Sequence, residues 1–372
     1  MIVEIKKGEV KSKLVFCFFI GVFVLFISAW SLSCKSNDKI IQNGQEEEVR
    51  EFYFADTSKQ RGAHLFRFRD TSSLGFVEEM SIDWVTLVPW GYMDGCFDAT
   101  VRHNRRNRSM AQADSAWVRN VQRFTSKGYK VFLKPHIWIS RPEKGKWRSD
   151  IYPKSDEDWL SWKESYREFI LRYARVAERS GADMYCVGTE LTRLSKEKPE
   201  YWREIISEIK EVYSGKLTYA ANWYKEYENV TFWDQLDYIG IQAYFPLVKK
   251  EVPTVAEIKK GWDKHIPKIK GKSEEYQKQI LFTEMGYKST TDSGIKPWEW
   301  MDYEENKRIY SPETQANCYQ AFFDIFWDEN WFSGVHIWQL RGNHRYYTSN
   351  ENLDFTPQGK PAAEVIGEGF RK

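Results

Sequence analysis

The chain has 372 residues, a length that fits one large domain or two small ones. Its 55 Lys and Arg residues nearly balance its 53 Asp and Glu residues, so no overall electrostatic field indicates nucleic acid or a membrane surface as the partner. Aromatic residues make up 16% of the chain and include 17 Trp, which favours a groove lined by exposed rings, although packed barrel cores also use Trp.

The N-terminus has the organisation of an export signal. Basic residues precede an apolar run from Leu14 to Trp30, and Ser33-Cys34 follows it. This order predicts an exported lipoprotein, periplasmic or at the cell surface, with Cys34 as the lipidated residue. The lipobox match is imperfect, because Ser31 stands where Leu is favoured. An uncleaved membrane anchor is the alternative, since the apolar run is at the lower limit for a spanning helix.

Cysteine usage argues against a disulfide scaffold. Of the five cysteines, Cys96, Cys186 and Cys318 remain beyond the signal, an odd number with no close spacing. The same spacing argues against a structural zinc site, and the chain lacks HExxH and CxxC patterns. We therefore expect no metal, and Cys186 and Cys318 are expected to be buried as small hydrophobic residues.

Residues 35–55 are mostly polar and charged and predict a flexible linker, which leaves residues 56–372 as one catalytic domain. Eight short, nearly continuous apolar runs in this domain predict buried parallel strands. They are Ala63–Phe68, Trp84–Val88, Lys130–Pro135, Met184–Gly188, Leu217–Ala221, Tyr238–Gln242, Gln279–Thr283 and Gly334–Trp338.

Predicted amphipathic helices separate these strands. Gly128 and Gly181 are placed as helix stops, and Pro199 and Pro312 as helix starts. Eight strands alternating with helices predict an α/β fold, a single closed (β/α)8 TIM barrel. A doubly wound open sheet is the alternative, but it often has a Gly-rich first turn, which residues 61–64 do not supply.

Two glutamates stand where predicted strands end. Glu190 follows the strand ending at Gly188, and Glu284 follows the strand ending at Thr283. The active site of a TIM barrel lies at the C-terminal ends of its strands, so both carboxylates are expected at the rim. A glycosidase uses such a pair, with one carboxyl group donating a proton. Either glutamate alone would indicate a salt bridge or a helix cap, but the pair favours catalysis.

Seven short segments surround the predicted strand ends, in the order Trp84–Pro89, Lys134–His136, Val187–Glu190, Ala221–Trp223, Gln242–Tyr244, Thr283–Gly286 and Phe355–Pro361. No single segment is specific. Together, from about Gly62 to the C-terminus, they make the chain resemble glycoside hydrolase family 113, the β-mannanase family of the clan A TIM-barrel glycosidases.

The resemblance implies a retaining endo-β-1,4-mannanase that acts on mannan or glucomannan and needs no cofactor. Glu284 would be the nucleophile and Glu190 the acid/base, whose pKa should be raised at rest and fall once Glu284 is glycosylated. One departure from the clan is Thr189, which stands where many members have Asn before the acid/base. Asn222 could take over the contact of that Asn with the sugar 2-hydroxyl.

Other residues at predicted strand ends are candidates for substrate binding. Tyr244 could orient the nucleophile through a hydrogen bond, and the resemblance supports Trp338 as a platform under the sugar. His136 and Asn222 could bind sugar hydroxyls. Each has a structural alternative, because a Tyr, Trp or His at a barrel mouth is commonly a packing residue.

Trp90 and Asp94, in the predicted loop after the second strand, are weaker candidates for contacts with outer sugars. Only their location supports this assignment. Arg67, late in the first strand, could hold Glu284 ionised. Asp70 and Arg69 beside it make a surface pair an equally simple interpretation.

Several alternatives stay open at this point. Another clan A activity, such as a β-galactanase, β-glucanase or β-mannosidase, would use the same two carboxylates. A carbohydrate-binding lipoprotein without catalysis would not need them. We expect a monomer that meets the membrane only through its N-terminus, and no nucleic-acid partner, because the basic cluster at residues 102–108 lacks interleaved aromatic residues.

Overall fold

The computed structural model describes residues 54, 58–68, 74–103, 109–300, 308–342 and 352–372. The strands in this part of the chain are β1 (Gln60–Phe66), β2 (Trp84–Leu87), β3 (Trp90–Met93), β4 (Lys130–Leu133), β5 (His136–Ile139), β6 (Met184–Thr189), β7 (Lys216–Asn222), β8 (Tyr238–Gln242), β9 (Ile280–Met285) and β10 (Phe332–Arg341). Eight of them form a closed parallel barrel in the order β1-β10-β9-β8-β7-β6-β4-β2.

Helices connect the strands along the outside of the barrel. Over the same residues they are α1 (Gly75–Glu79), α2 (Met110–Thr125), α3 (Asp156–Ser180), α4 (Thr192–Glu197), α5 (Pro199–Val212), α6 (Val255–Trp262), α7 (Ile266–Tyr276), α8 (Pro312–Phe326) and α9 (Pro361–Arg371). The first turn of α3 begins at Ser155, whose side chain accepts a hydrogen bond from the backbone N–H of Asp158. Pro occupies the first turn of α5 and α8, where its missing N–H costs nothing.

The predicted (β/α)8 barrel is confirmed, and each of the eight predicted strands is present, with ends that coincide or differ by at most three residues. Sequence reasoning missed β3 and β5, which pair with each other in a separate two-stranded parallel sheet. They follow Pro89 and Pro135, which end the apolar runs of β2 and β4. Because proline cannot donate to a strand ladder, pairing resumes only beyond it, in a sheet of its own.

Alternation along the barrel strands separates two apolar layers. Val131 and Leu133 of β4 belong to the large cluster packed between strands and helices, whereas Phe132 packs with Cys186, Leu281 and neighbours in a second cluster. Since successive strand residues point to opposite faces, the second cluster fills the barrel interior. The three cysteines beyond the predicted signal are buried free thiols, as expected of small hydrophobic residues.

Some sequence predictions fall outside the described residues. They are the signal segment with its lipidation site Cys34, most of the linker, Asp70, and most of the basic cluster. These assignments stay predictions. Among the helices in the described ranges, none combines the length and apolar character required to span a membrane.

Two glycines provide a matched test of the fold. Gly181 ends α3 with a left-handed φ of 71°, whereas Gly271 lies inside α7, and a Cβ added at either position meets no atom within 4 Å. Gly181→Ala should destabilise the protein by about 1 kcal/mol, because an L side chain disfavours that conformation. Gly271→Ala should stabilise it by roughly 0.5–1 kcal/mol, because alanine loses less entropy in a helix. Thermal unfolding midpoints that move in the same direction for both variants would contradict this assignment.

Candidate active site

The C-terminal ends of the barrel strands open into a cavity of about 790 Å³. Glu190, one residue beyond β6, and Glu284, within β9, both line it. The sequence argument placed each glutamate at a strand end, and the fold brings the two ends to one opening. Parallel strands in a closed barrel all finish at the same rim, so residues far apart in sequence share one site.

Glu284 is buried, and three side chains hold its carboxylate. Lys134 Nζ donates to Oε2 over 2.7 Å, Gln242 Nε2 donates to the same oxygen over 2.6 Å, and Tyr244 Oη donates to Oε1 over 2.7 Å. Burial, followed by the charge of Glu284, raises the pKa of Tyr244 well above its usual range, so the phenol stays protonated and acts as a donor. The arrangement stabilises an ionised carboxylate in a fixed orientation.

The Lys134 ammonium is completely enclosed. Besides Glu284 it donates to Gln242 Oε1 over 2.8 Å and to the Thr283 carbonyl over 3.1 Å, and it lies 3.2 Å from His64 Nε2. His64 Nδ1 faces the Ile337 carbonyl at 3.4 Å, which makes Nδ1 the donor and turns the lone pair of Nε2 towards the Lys134 ammonium. Burial and the Lys134 charge lower the pKa of His64 well below its usual range, in keeping with this neutral tautomer.

The inward direction of these side chains follows from strand periodicity and one irregularity. Lys134 comes two residues after the inward-facing Phe132, and Gln242 two residues after Gly240, so alternation turns both inward. By the same alternation Thr283 points inward, two residues after the inward-facing Leu281, and Glu284 would point outward. The pairing of β8 with β9 shifts register next to Gln242, which is aligned with Glu284, and such irregularities re-aim a side chain.

Glu190 has a different environment. Its backbone has a left-handed φ of 52°, its side chain is 13% exposed, and its contacts are Arg148 Nε at 3.3 Å and the side-chain amide of Asn222 at 3.4 Å. Burial raises the pKa of Glu190, Arg148 opposes that shift, and the charge of Glu284 adds to it. A carboxyl group with a raised pKa next to an ionised one is the pairing expected of an acid/base beside a nucleophile.

A second buried carboxylate, Glu226, supports this part of the rim. It accepts hydrogen bonds from the Asn222 backbone N–H over 2.6 Å and from Tyr219 Oη over 2.6 Å. Tyr219 in turn accepts the backbone N–H of Leu191, the residue after Glu190, over 2.9 Å. Burial raises the pKa of Glu226 to about 7. Glu226 therefore holds the chain segments that carry Asn222 and Glu190.

Aromatic side chains form much of the remaining cavity wall. Trp147 comes from the segment between β5 and α3, Trp223 and Tyr224 follow β7, and Trp298 and Trp300 belong to the segment after β9. The Trp298 and Trp300 side chains are 41% and 56% exposed. Exposed indoles at a cavity mouth offer flat apolar surfaces to a ligand.

Trp338 lies at the base of this wall. It lines the cavity next to Phe355, its ring packs against His64 at 5.0 Å and against Phe66 at 5.1 Å, and the peptide bond that follows it is cis. Tyr244, Asn222 and Trp338 therefore lie at the cavity, where the sequence argument placed them. Their contacts with a sugar stay predictions.

Of the four other candidates, Arg67 needs correction. The buried cation on Glu284 is Lys134, whereas Arg67, just after β1, has an exposed side chain and lies outside the cavity lining. His136 is buried beneath Trp338, with parallel rings 6.3 Å apart, and accepts from Arg148 over 2.9 Å, so it supports the wall. A contact of His136 with a sugar hydroxyl stays a prediction.

Trp90 packs edge-on against the ring of His136 at 5.2 Å and is also absent from the lining. Asp94 pairs with Arg102 over 2.7 Å and with Arg141 over 3.6 Å at the surface. Contacts of Trp90 and Asp94 with outer sugars stay predictions.

Sequence reasoning missed Lys134, Gln242 and Arg148. A signal existed for Lys134, because a lysine directly after an apolar strand at the rim obeys the rule used for the glutamates. Arg148 lies in a short 3-10 helical turn within a long connection, where no periodicity locates a side chain. In the described part of the chain, no group of three or more His, Cys, Asp or Glu side chains could hold a metal ion.

Comparisons with known proteins agree with this geometry. The family model for glycoside hydrolase family 113 matches residues 57–360. A GH113 β-1,4-mannanase solved as a complex superposes with a TM-score of 0.71 at 24% sequence identity, covering 85% of this chain and 99% of that chain. The GH113 β-mannanase AaManA from Alicyclobacillus acidocaldarius, in complex with ManMIm, superposes with a TM-score of 0.69 at 27% identity, covering 85% and 98%.

More distant structures share the fold alone. A β-glucuronidase from Ruminococcus gnavus superposes with a TM-score of 0.52 at 13% identity, covering 86% of this chain and 50% of that chain. Among curated protein sequences, none matches the chain.

The buried ion pair yields a stability prediction with a control on the same strand. Lys134→Met leaves Glu284 buried without its cation and should destabilise the protein by about 3–5 kcal/mol. Lys130, at the other end of β4, pairs with Asp183 at the surface with 58% of its side chain exposed, so Lys130→Met should cost at most about 1 kcal/mol. Thermal unfolding measures both, and Lys134→Met/Glu284→Gln should recover part of the loss. Equal, small effects of the two lysine substitutions would show that the buried pair is not the constraint described.

Proposed function

The chain belongs to glycoside hydrolase family 113, and on that premise we propose that it hydrolyses the β-1,4-linked backbone of mannan or glucomannan with retention of anomeric configuration. Glu284 is the nucleophile and Glu190 the acid/base. An exported enzyme anchored through Cys34 would meet such a polymer outside the cytoplasm, and as a monomer it would need no second copy to complete the cavity.

One observation carries the proposal: two carboxylates on one cavity have unlike surroundings. Glu284 is held by the buried ammonium of Lys134 and by two neutral donors. Glu190 is a carboxyl group whose pKa is raised by burial. Two carboxyl groups whose environments separate their protonation states supply the ionised nucleophile and the protonated acid of a glycosidase.

In the first half-reaction, a Glu284 oxygen forms a bond to the anomeric carbon while the bond to the leaving oxygen breaks. Glu190 gives its proton to that oxygen. Of the two Glu284 oxygens, Oε2 accepts from both Lys134 and Gln242, whereas Oε1 accepts from Tyr244 alone. Oε1 is therefore the less stabilised oxygen and the one we assign to the attack.

In the second half-reaction, Glu190 acts as the base. Once Glu284 is esterified it loses its charge, which removes one of the causes that raise the pKa of Glu190. Glu190 then takes a proton from an incoming water as that water attacks the anomeric carbon. Lys134 and Gln242 remain on Oε2 and stabilise the carboxylate that forms as the ester breaks.

The substrate class rests on the relatives and on the shape of the wall. One superposed family member is a β-1,4-mannanase and another is a β-mannanase. The exposed indoles of Trp298 and Trp300 suit the apolar faces of sugar rings. A panel of mannan, glucomannan, galactan and β-glucan, assayed for new reducing ends, separates a mannanase from other clan A activities and from a protein that binds sugar without cleaving it.

Trapping identifies the nucleophile. Incubation with a 2-deoxy-2-fluoro mannosyl fluoride should leave a covalent label on the peptide that contains Glu284, because the 2-fluorine slows both formation and breakdown of the ester, whereas the reactive fluoride leaving group speeds its formation alone. Peptide mass spectrometry locates the label. Glu299→Gln, which changes another carboxylate on the cavity, should leave the labelled position unaltered. A label on Glu190 or Glu299 of the wild type would disprove the assignment.

The pH dependence of kcat/KM tests the acid/base. The protonated form of Glu190 is the active one, so its pKa sets the alkaline limb of the profile. Arg148 lowers that pKa, and Arg148→Met therefore raises it and should move the alkaline limb to higher pH. Arg141→Met, which neutralises a largely exposed arginine of a nearby loop, should leave the limb in place. Movement to lower pH, or none, would mean that Glu190 is not the group being titrated.

A further inference from the structure

The small parallel sheet of β3 and β5 extends one side of the cavity. It pairs Trp90 with His136 and Tyr92 with Trp138, beyond the prolines that end β2 and β4. Alternation puts His136 and Trp138 on one face of β5, while Ile137 on the other face is buried in the core. Because the His136 ring lies parallel to that of the cavity residue Trp338, the face that carries Trp138 is the face turned towards the cavity.

Trp138 is the exposed member of a continuous row of rings. Its side chain is 44% exposed, and two other indoles support it edge-on: Trp90, with ring centroids 5.9 Å apart and an angle of 87°, and Trp147, at 5.6 Å and 89°. Trp147 itself lines the cavity. Since Trp138 comes two residues after His136, it stands about 7 Å further along the strand from the cavity base.

This exposure is not a by-product of packing. The buried residues of β5 are His136, Ile137 and Ile139, which are 1%, 3% and 1% exposed, so the sheet does not need the Trp138 indole to form. Two perpendicular rings hold Trp138 in one orientation, and a rigid aromatic surface loses little entropy when a ligand covers it. A flat apolar ring that is fixed, exposed and continuous with a cavity wall has the properties of a binding platform.

We propose that Trp138, supported by Trp90 and Trp147, is an outer subsite that stacks on a β-linked hexopyranose unit of the polymer, remote from the bond being cleaved. The subsite rests on the proposed function, because a chain long enough to reach Trp138 must also occupy the cavity. It adds affinity for long substrates and contributes nothing to the chemical step. This separates Trp138 from Trp298 and Trp300, which line the cavity itself.

The experiment compares long and short substrates. On soluble mannan, Trp138→Ala should raise KM about three- to tenfold with little change in kcat, because a remote contact is made equally in the ground state and the transition state. On the shortest oligosaccharide that the wild type cleaves, both constants should stay near the wild-type values. Trp138→Phe, which keeps a ring, should recover much of the affinity for mannan.

Leu160→Ala is the matched control, because Leu160 is an exposed large hydrophobic residue of α3 that does not line the cavity, and it should behave like the wild type on both substrates. A Trp138→Ala enzyme that matches the wild type on mannan would overturn the proposal. So would an equal loss of kcat on both substrates, which would indicate that Trp138 is structural.

Binding is measured separately, by retardation of the Glu190→Gln protein in gels containing soluble mannan, with and without Trp138→Ala. Loss of retardation with Trp138→Ala supports the subsite even if no polysaccharide is hydrolysed, whereas unchanged retardation overturns it even if hydrolysis is established. Failure of the subsite and failure of the proposed activity are thereby distinguishable.

Discussion

The contact on which the site depends is the 2.7 Å ion pair between Lys134 and Glu284 at the mouth of the barrel. Removing two charges from water costs several kcal/mol for each ion, and their attraction offsets that cost only if the remaining hydrogen-bonding groups are also satisfied. Here they are: Lys134 also donates to Gln242 and to a strand carbonyl, and His64 lies beside it. Neutralising either residue leaves the other buried without its partner. The residues that make these contacts come from the ends of β1, β4, β8 and β9, so the ion pair holds these four barrel strands together.

Glu190 shows how the same residue type acquires a different character in one cavity. It sits beyond a strand end on a left-handed backbone, with the partly aligned contacts of Arg148 and Asn222 in place of a buried ammonium. Burial is therefore the dominant influence on its pKa, whereas the surroundings of Glu284 are dominated by charge and hydrogen bonds. The two carboxyl groups have different roles because they lie at different places on the rim. Glu284 is enclosed by barrel strands, whereas Glu190 lies beyond the end of its strand.

The barrel and both glutamates could be predicted from the sequence because they depend on local rules. Apolar runs mark buried strands, and a polar residue directly after such a run stands at the rim. The partner of Glu284 could not be predicted in the same way, since assigning Lys134 instead of Arg67 requires knowing which strands face each other and where register shifts. Arg148 and the indoles Trp147, Trp298 and Trp300 lie in long connections without periodicity, where only tertiary packing decides what reaches the cavity.

The five residues from Lys130 to Lys134, which are β4 and the residue after it, serve stability at one end and function at the other. The first of them, Lys130, pairs with Asp183 in contact with water, where a lost ion pair is replaced by hydration. Four residues later, Lys134 pairs with Glu284 where no water can replace it. The residues between them are apolar and pack alternately inside and outside the barrel. Alternation thus delivers an ammonium to the inner face at the rim, and the closed barrel excludes the solvent that would otherwise weaken its effect on the carboxylate.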